Sequence, residues 1–480
     1  VKLLKNFLSL AAAEALSKVV TFAAFAYLAR VAGPEGFGII EFAGSLMLCA
    51  ALVVDQGFGP YGAREIAKDP RRTQALVAEI VAARFMLAIG AYAAVVAFAI
   101  WGDPSPVVTR LLLVYGLSLF VMPLLLQWVF QGHDQMQVVG AAQLIRQVVF
   151  VAVVFALIRD YDQIWFVAVA ELAGVSIAAL FGLWMYRRMV TGRLEVRPKI
   201  TGNLFRQGVP IGLSQMFWVV KMYGATVILS AIAATEDVGF FAASMRILLA
   251  LHTFVYLYHF NLLPSLARAW READGSYAAL IDRSMRTVTW LGAAAALVWV
   301  FVAPQVVTAV YGERFEPAGS TLQWLAGVCV VAWLSGHYRF GLIAAGQQTA
   351  EMITAAAGAV VAAILIPVGY KENGPEGAAM ALVAAEIVVW AGSWWFSRRR
   401  LAIDHHARLL VRPLVAVAVT IGLLWPLSTY SWAARAVAAL GAITALAFLL
   451  DPAVRNHLRK LRAARRAGQL LSKELPEVTR

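Results

Sequence analysis

Two lysines stand where a membrane-spanning helix should carry nothing charged. Lys18, in "FLSLAAAEALSKVVTFAAFAYLAR", falls about eleven residues into one long apolar run, and Lys221, in "FWVVKMYGATVIL", about thirteen into another. At 1.5 Å per residue, eleven residues is roughly 16 Å, near the middle of a bilayer. An ammonium there costs about 2.5–3.5 kcal/mol on insertion scales, so it should face water, a partner or a substrate. Two ammoniums at matched depth on facing helices would make a cationic site for an anion such as a pyrophosphate. Arg246, with His252 and His259 further along one run, would extend it.

Each residue also has a plainer reading. Glu14 lies four residues before Lys18, and Glu before Lys at that spacing is the favoured helical ion pair. Lys221 has Phe217 and Ala225 at the same offsets, so its own helix offers it no acid. Arg246 lies seven residues into its run and could snorkel. His252 and His259, seven apart on one helical face, are more often satisfied interior histidines than ligands or proton carriers. Asp55, near the end of the second run, either pairs with the basic loop after it or forms an inner gate. Glu14 and Asp55 are the candidates for a coupling Na+ or H+. Arg84, Arg146 and Arg339 read as structural, as do Glu171 and Glu386.

The elements that would hold these charges follow from composition. Of 480 residues, 61% are hydrophobic and 14% charged, and mean hydropathy is +0.72. The apolar runs are continuous and about 20 residues long, which predicts helices rather than the alternating strands of a barrel. About fourteen such runs occur; the thirteenth, 413–429, starts at Pro413 and contains Pro426, so the thirteenth and fourteenth should be short or tilted. Glu14 and Lys18 interrupt what would otherwise resemble a signal peptide, so the first run reads as a retained span. Cys49 and Cys329 sit singly in apolar runs and give neither a disulfide framework nor metal spacing.

The net charge of +13 could suggest nucleic acid, but its placement argues otherwise. With the N-terminus cytoplasmic, the Lys and Arg residues concentrate in cytoplasmic segments and the outer loops hold only Arg110, Arg159, Arg314 and Lys371. That is the positive-inside pattern of a multi-pass protein with both termini cytoplasmic. The tail "RNHLRKLRAARRAGQLLSKEL" suits a helix lying on anionic lipid, or a solvated tail.

An internal repeat organises the spans. "GPEGFGIIEFAGSL" aligns with "ATEDVGFFAASMRI" on Gly38 and Gly239, the runs around Gly132 and Gly346 align, and so do those around Glu171 and Glu386. The offset stays at about 200 to 215 residues. Six spans per repeat is an even number, so both repeats enter the membrane from the same side. The expected architecture is an all-α integral membrane protein of about 14 transmembrane helices. Two parallel six-helix lobes occupy 1–200 and 201–400, two further helices occupy 401–452, and a basic cytoplasmic tail occupies 453–480.

The motifs Ser17-Lys18, Ala29-Arg30, Gly33-Pro34-Glu35-Gly36-Phe37-Gly38, Asp55-Gln56-Gly57 and Arg64-Glu65-Ile66-Ala67 resemble the opening of the polysaccharide transport family. This is the Wzx-type branch of the multidrug/oligosaccharidyl-lipid/polysaccharide exporter superfamily. A looser match runs through "NLLPSLAR" and "VYGERFEPA" in the second repeat. The resemblance implies a flippase for a lipid-linked, undecaprenyl-pyrophosphate-type oligosaccharide in the cytoplasmic membrane, with two lobes opening alternately and polysaccharide assembly proteins as partners. The alternative is a multidrug or other small-molecule exporter of the same superfamily, which central lysines disfavour for cationic drugs. An enzyme is not expected. "GPEGFG" lacks the Lys-Ser/Thr of a phosphate loop, "DHHAR" lacks metal spacing, and no outer loop is large enough for a glycosyltransferase. No cofactor follows beyond a coupling ion.

Overall fold

The computed structural model describes residues 2–102, 104–189, 200–272, 275–401, 407–424, 431–452 and 455; for 2–16, 210, 211, 214, 407 and 408 it describes the backbone alone. Every regular element among them is helical. The N-terminal half contains α1 (Lys2–Asp55), α2 (Phe58–Lys68), α3 (Thr73–Trp101), α4 (Pro106–Gly116), α5 (Ser118–Val121), α6 (Gln127–Gly132), α7 (Met136–Leu157) and α8 (Phe166–Met189). There follow α9 (Gly202–Met222), α10 (Gly224–Ser230), α11 (Thr235–Glu272), α12 (Ser276–Tyr311), α13 (Ala318–Ala344), α14 (Gln348–Leu401), α15 (Ala407–Leu424) and α16 (Trp432–Leu450).

Ten segments among the described residues are long and apolar enough to cross a bilayer. Two of them are built on α1 and α14, helices of 54 residues each, about twice what a bilayer takes, and each turns at a left-handed glycine. In α1 the turn is Gly33 (φ 69°) followed by Pro34; in α14 it is Gly374 (φ 57°) followed by Pro375. Both lie in the tetrapeptide Gly-Pro-Glu-Gly. Glycine admits the positive φ, and proline then starts the next helix without an amide hydrogen to satisfy. Each of these helices therefore supplies two spans. With α9–α10 and the Leu409–Leu424 helix, the predicted fourteen are accounted for.

The chain packs as two units: residues 1–247, 307–322 and 352–388 form the first, and 248–306, 323–351 and 389–480 the second. The first unit has an apolar cluster around Leu28, Ile40, Phe150, Val154 and Ile164 and another around Phe58, Val77, Ile80, Phe130 and Tyr186. Gly38 and Gly239, equivalent in the repeat, touch each other in this unit. A Cβ on Gly38 would lie 2.9 Å from the Gly239 nitrogen, and one on Gly239 would strike the Pro34 carbonyl. Arg30, on the same turn of α1, donates to the carbonyls of Ala309 and Val310, which a helix C-terminus leaves unsatisfied.

The second unit is built on Leu266, Ile281, Met285, Tyr338 and Leu342 and on Trp290, Leu297, Ala439 and Ile443. Asp451, buried after α16, accepts from the Trp290 indole at 2.9 Å and lies 4.0 and 3.9 Å from Arg286 and Arg412.

Candidate functional site

Five cations within the spans pair with carboxylates on other helices, four of them in the first unit. Arg246 (α11) meets Glu41 (α1), with Nε 2.8 Å from a carboxylate oxygen. Its guanidinium lies over the Phe25 ring, 3.2 Å from the centroid, so an anion and a π face hold it from two directions. Arg146 (α7) pairs with Glu171 (α8). Tyr115 (α4) lies within electrostatic reach of both pairs, and Tyr223 and Tyr311 within reach of the first. Together they form a polar centre in the first unit.

Lys221 pairs with Glu386 (α14), and their side chains are 4% and 1% exposed. The helix is interrupted beside it: α9 ends at Met222, Tyr223 donates its amide to Val219 at 2.7 Å, and α10 starts at Gly224. An ammonium in the last turn of α9 is well placed against the helix dipole.

Lys18 is exposed and lies seven residues before Phe25, on the same helical face. Thr21, between them, donates to Gln147 at 2.7 Å. The Glu14 side chain lies outside the described residues, as do Pro426 and the basic tail beyond Arg455. Asp55 pairs with Arg84 on α3, not with the basic loop that follows it. This pair borders a cavity of about 320 Å³ within the first unit.

His252 and His259 belong to the second unit. His259 is buried, with Nδ1 2.8 Å from the Val255 carbonyl and Nε2 3.3 Å from His337 Nδ1. His337 Nε2 in turn lies 2.8 Å from the Ser284 hydroxyl, which meets the Tyr258 hydroxyl. This is a hydrogen-bonded interior chain that leaves His259 satisfied. Arg339 pairs with Glu351 in the same unit, Nε to oxygen 3.0 Å. No cluster of three metal-ligating side chains occurs among the described residues.

Sequence reasoning did not single out Glu41, Glu351 or Tyr115. For Glu41 the signal was present: an acid seven residues past Pro34, inside an apolar run, is as costly as the lysines.

Comparison with known proteins gives a consistent picture. The family described as "Polysaccharide biosynthesis protein" matches residues 3–270. A protein of Escherichia coli (strain K12) named "Putative O-antigen transporter" is 20% identical over 405 residues, covering 80% of this chain and 94% of the relative. Among solved structures, the inward closed conformation of the lipid II flippase MurJ aligns with a TM-score of 0.74 at 9% identity, covering 92% of this chain and 98% of the other. An inward-facing multidrug resistance transporter of the MATE family, in the MOP superfamily, aligns with a TM-score of 0.67 at 13% identity, covering 80% and 94%. At those identities the structural likeness is one of fold.

Proposed function

Because the chain belongs to the polysaccharide biosynthesis protein family, we propose that it is a flippase. Its substrate is a lipid-linked oligosaccharide or polysaccharide precursor of the undecaprenyl-pyrophosphate type, and it acts in the cytoplasmic membrane with both termini cytoplasmic. Two six-helix lobes give alternating access to a site that holds the charged head while the lipid tail stays in the bilayer. The name of the Escherichia coli relative supports a glycan substrate. The basic tail rests on anionic lipid, and polysaccharide assembly proteins supply and receive the glycan.

The observation that carries this reading is Arg246. Its side chain is 24% exposed, unlike that of Lys221, so a ligand can reach it. Its partner Glu41 presents a carboxylate that a diphosphate can replace, oxygen for oxygen, at the same guanidinium. Lys18, on the Phe25 face of α1, supplies a second cation. Displaced from Arg246, Glu41 becomes a carboxylate seeking a proton or Na+, and so joins Glu14 and Asp55 as a coupling candidate.

The test is translocation of a fluorescent polyprenyl-diphosphate oligosaccharide in proteoliposomes. Arg246→Ala should abolish it and Arg246→Lys should retain part of it, both with the protein inserted at wild-type level. Wild-type rates in Arg246→Ala would refute the reading.

A further inference from the structure

The cavity beside Asp55 and Arg84 differs in chemistry from the charged centre. It measures about 320 Å³, at the lower end of ligand-pocket sizes, and lies wholly within the first unit. Its polar wall is Asp55, Arg84, Gln127, Gln131, Gln215 and Trp128. Asp55 and Arg84 are ion-paired, so they bring opposite charges that cancel, and the other polar groups are neutral amides and an indole.

Two donors on these side chains are unused but are covered by protein rather than open to the cavity. Arg84 Nε and Trp128 Nε1 are buried without a hydrogen-bond partner, on side chains that are 8% exposed for Arg84 and, for Trp128, on a residue 3% exposed. Gln127 and Gln131, four apart on α6, present donors and acceptors from one helical face.

The backbone is shaped to open this space. The span from Pro106 to Gly132 is broken into α4, α5, a 3-10 turn at Met122–Leu124 and α6. Irregular backbone at membrane depth persists only where protein covers it or where it lines a cavity. Here Met122 and Leu125 form part of the wall. On the opposite side Gly59 leaves the room: a Cβ there would sit 3.1 Å from Arg84 Nη2 and 3.5 Å from Asp55 Oδ1.

We propose that this cavity is a binding subsite for one neutral sugar residue, read by hydroxyl hydrogen bonds to the glutamine amides and the Asp55–Arg84 pair. A wall with no net charge and both donors and acceptors suits a polyol; a phosphate would require the cation that Asp55 neutralises. That the sugar belongs to a lipid-linked glycan rests on the flippase reading, whereas the subsite itself does not.

The experiment uses the full chain in nanodiscs and a diazirine-bearing N-acetylglucosamine as photoprobe, with cross-linked peptides mapped by mass spectrometry. Cross-links are expected on the Met122–Gln131 segment, competed by free N-acetylglucosamine and not by inorganic phosphate. Gln127→Leu with Gln131→Leu should lower them at least fivefold while the elution profile and thermal stability stay near wild type. Gly59→Leu, which fills the space from the other side, should do the same and serves if the glutamine variant misfolds. Competition by phosphate instead of sugar, undiminished cross-linking in both variants, or no cross-link on this segment would each overturn the assignment. Cross-linking without glycan translocation would remove the flippase reading and leave the subsite; translocation without cross-linking would do the reverse.

Discussion

Lys221 and Glu386 offer the sharpest test of which charges work and which hold the fold. Their side chains are 4% and 1% exposed, so neither can fall back on water if its partner is removed. Breaking a buried pair from one side costs about 3–5 kcal/mol, whereas replacing both members with apolar residues of similar size is often neutral or stabilising. Lys221→Met should therefore lower the ratio of folded to unfolded protein at least about 100-fold at a denaturant concentration near the wild-type midpoint, since 1.4 kcal/mol is tenfold in that ratio. Glu386→Leu should do the same, and the double variant should return close to wild type. The assay is unfolding of purified protein in mild detergent under an SDS titration, followed by tryptophan fluorescence. A double variant that is stable and still flips glycan would make Lys221 a structural charge, the outcome expected from its burial. Additive destabilisation of the two single variants in the double, or single variants as stable as wild type, would refute the argument.

Gly239→Val should prevent assembly of the first unit, because a Cβ at that position runs into the Pro34 carbonyl and backbone cannot give way as a side-chain tip can. The check is monodisperse yield on fluorescence-detected size exclusion, with Gly44→Val, where a Cβ meets open space, as the control that should assemble normally. Asp451→Ala should leave the Trp290 indole without its acceptor and cost about 1.5–3 kcal/mol, the range for a hydrogen bond to a charged group. An apparent melting temperature unchanged from wild type would contradict that.

The bundle was legible in the sequence because a bilayer forces each span to be long, apolar and helical, and hydropathy measures those properties directly. Charge pairing was far less legible. Spacing along one helix reveals partners at i+3 and i+4, but each of the five span cations pairs with an acid on another helix. Lys221 and Glu386 are 165 residues apart, and no periodicity connects them. The depth argument correctly marked Lys221 as too costly to stand alone; it could not say whether the compensation was a ligand or a carboxylate. The cavity was hidden for a related reason. Gln127 and Gln131 look like ordinary polar residues near the end of a span until the break at Met122–Leu124 turns them towards Asp55 and Arg84.

The pairing also changes what a cationic site means here. Four of the span cations in the first unit are already met by carboxylates, so the centre is not a reservoir of free positive charge. An anionic head must exchange with a resident carboxylate. Such an exchange replaces one set of charge-assisted hydrogen bonds with another, so its free energy depends on the difference between the two acceptors and on the fate of the displaced acid. On the proposed reading, Arg246 is where that difference is favourable: it is partly exposed, the Phe25 face steadies it through the exchange, and a diphosphate brings more acceptor oxygens than Glu41. Lys221 has the same charge, but its side chain is only 4% exposed. Exposure of the pair, more than the presence of the cation, then separates a binding site from a structural clamp.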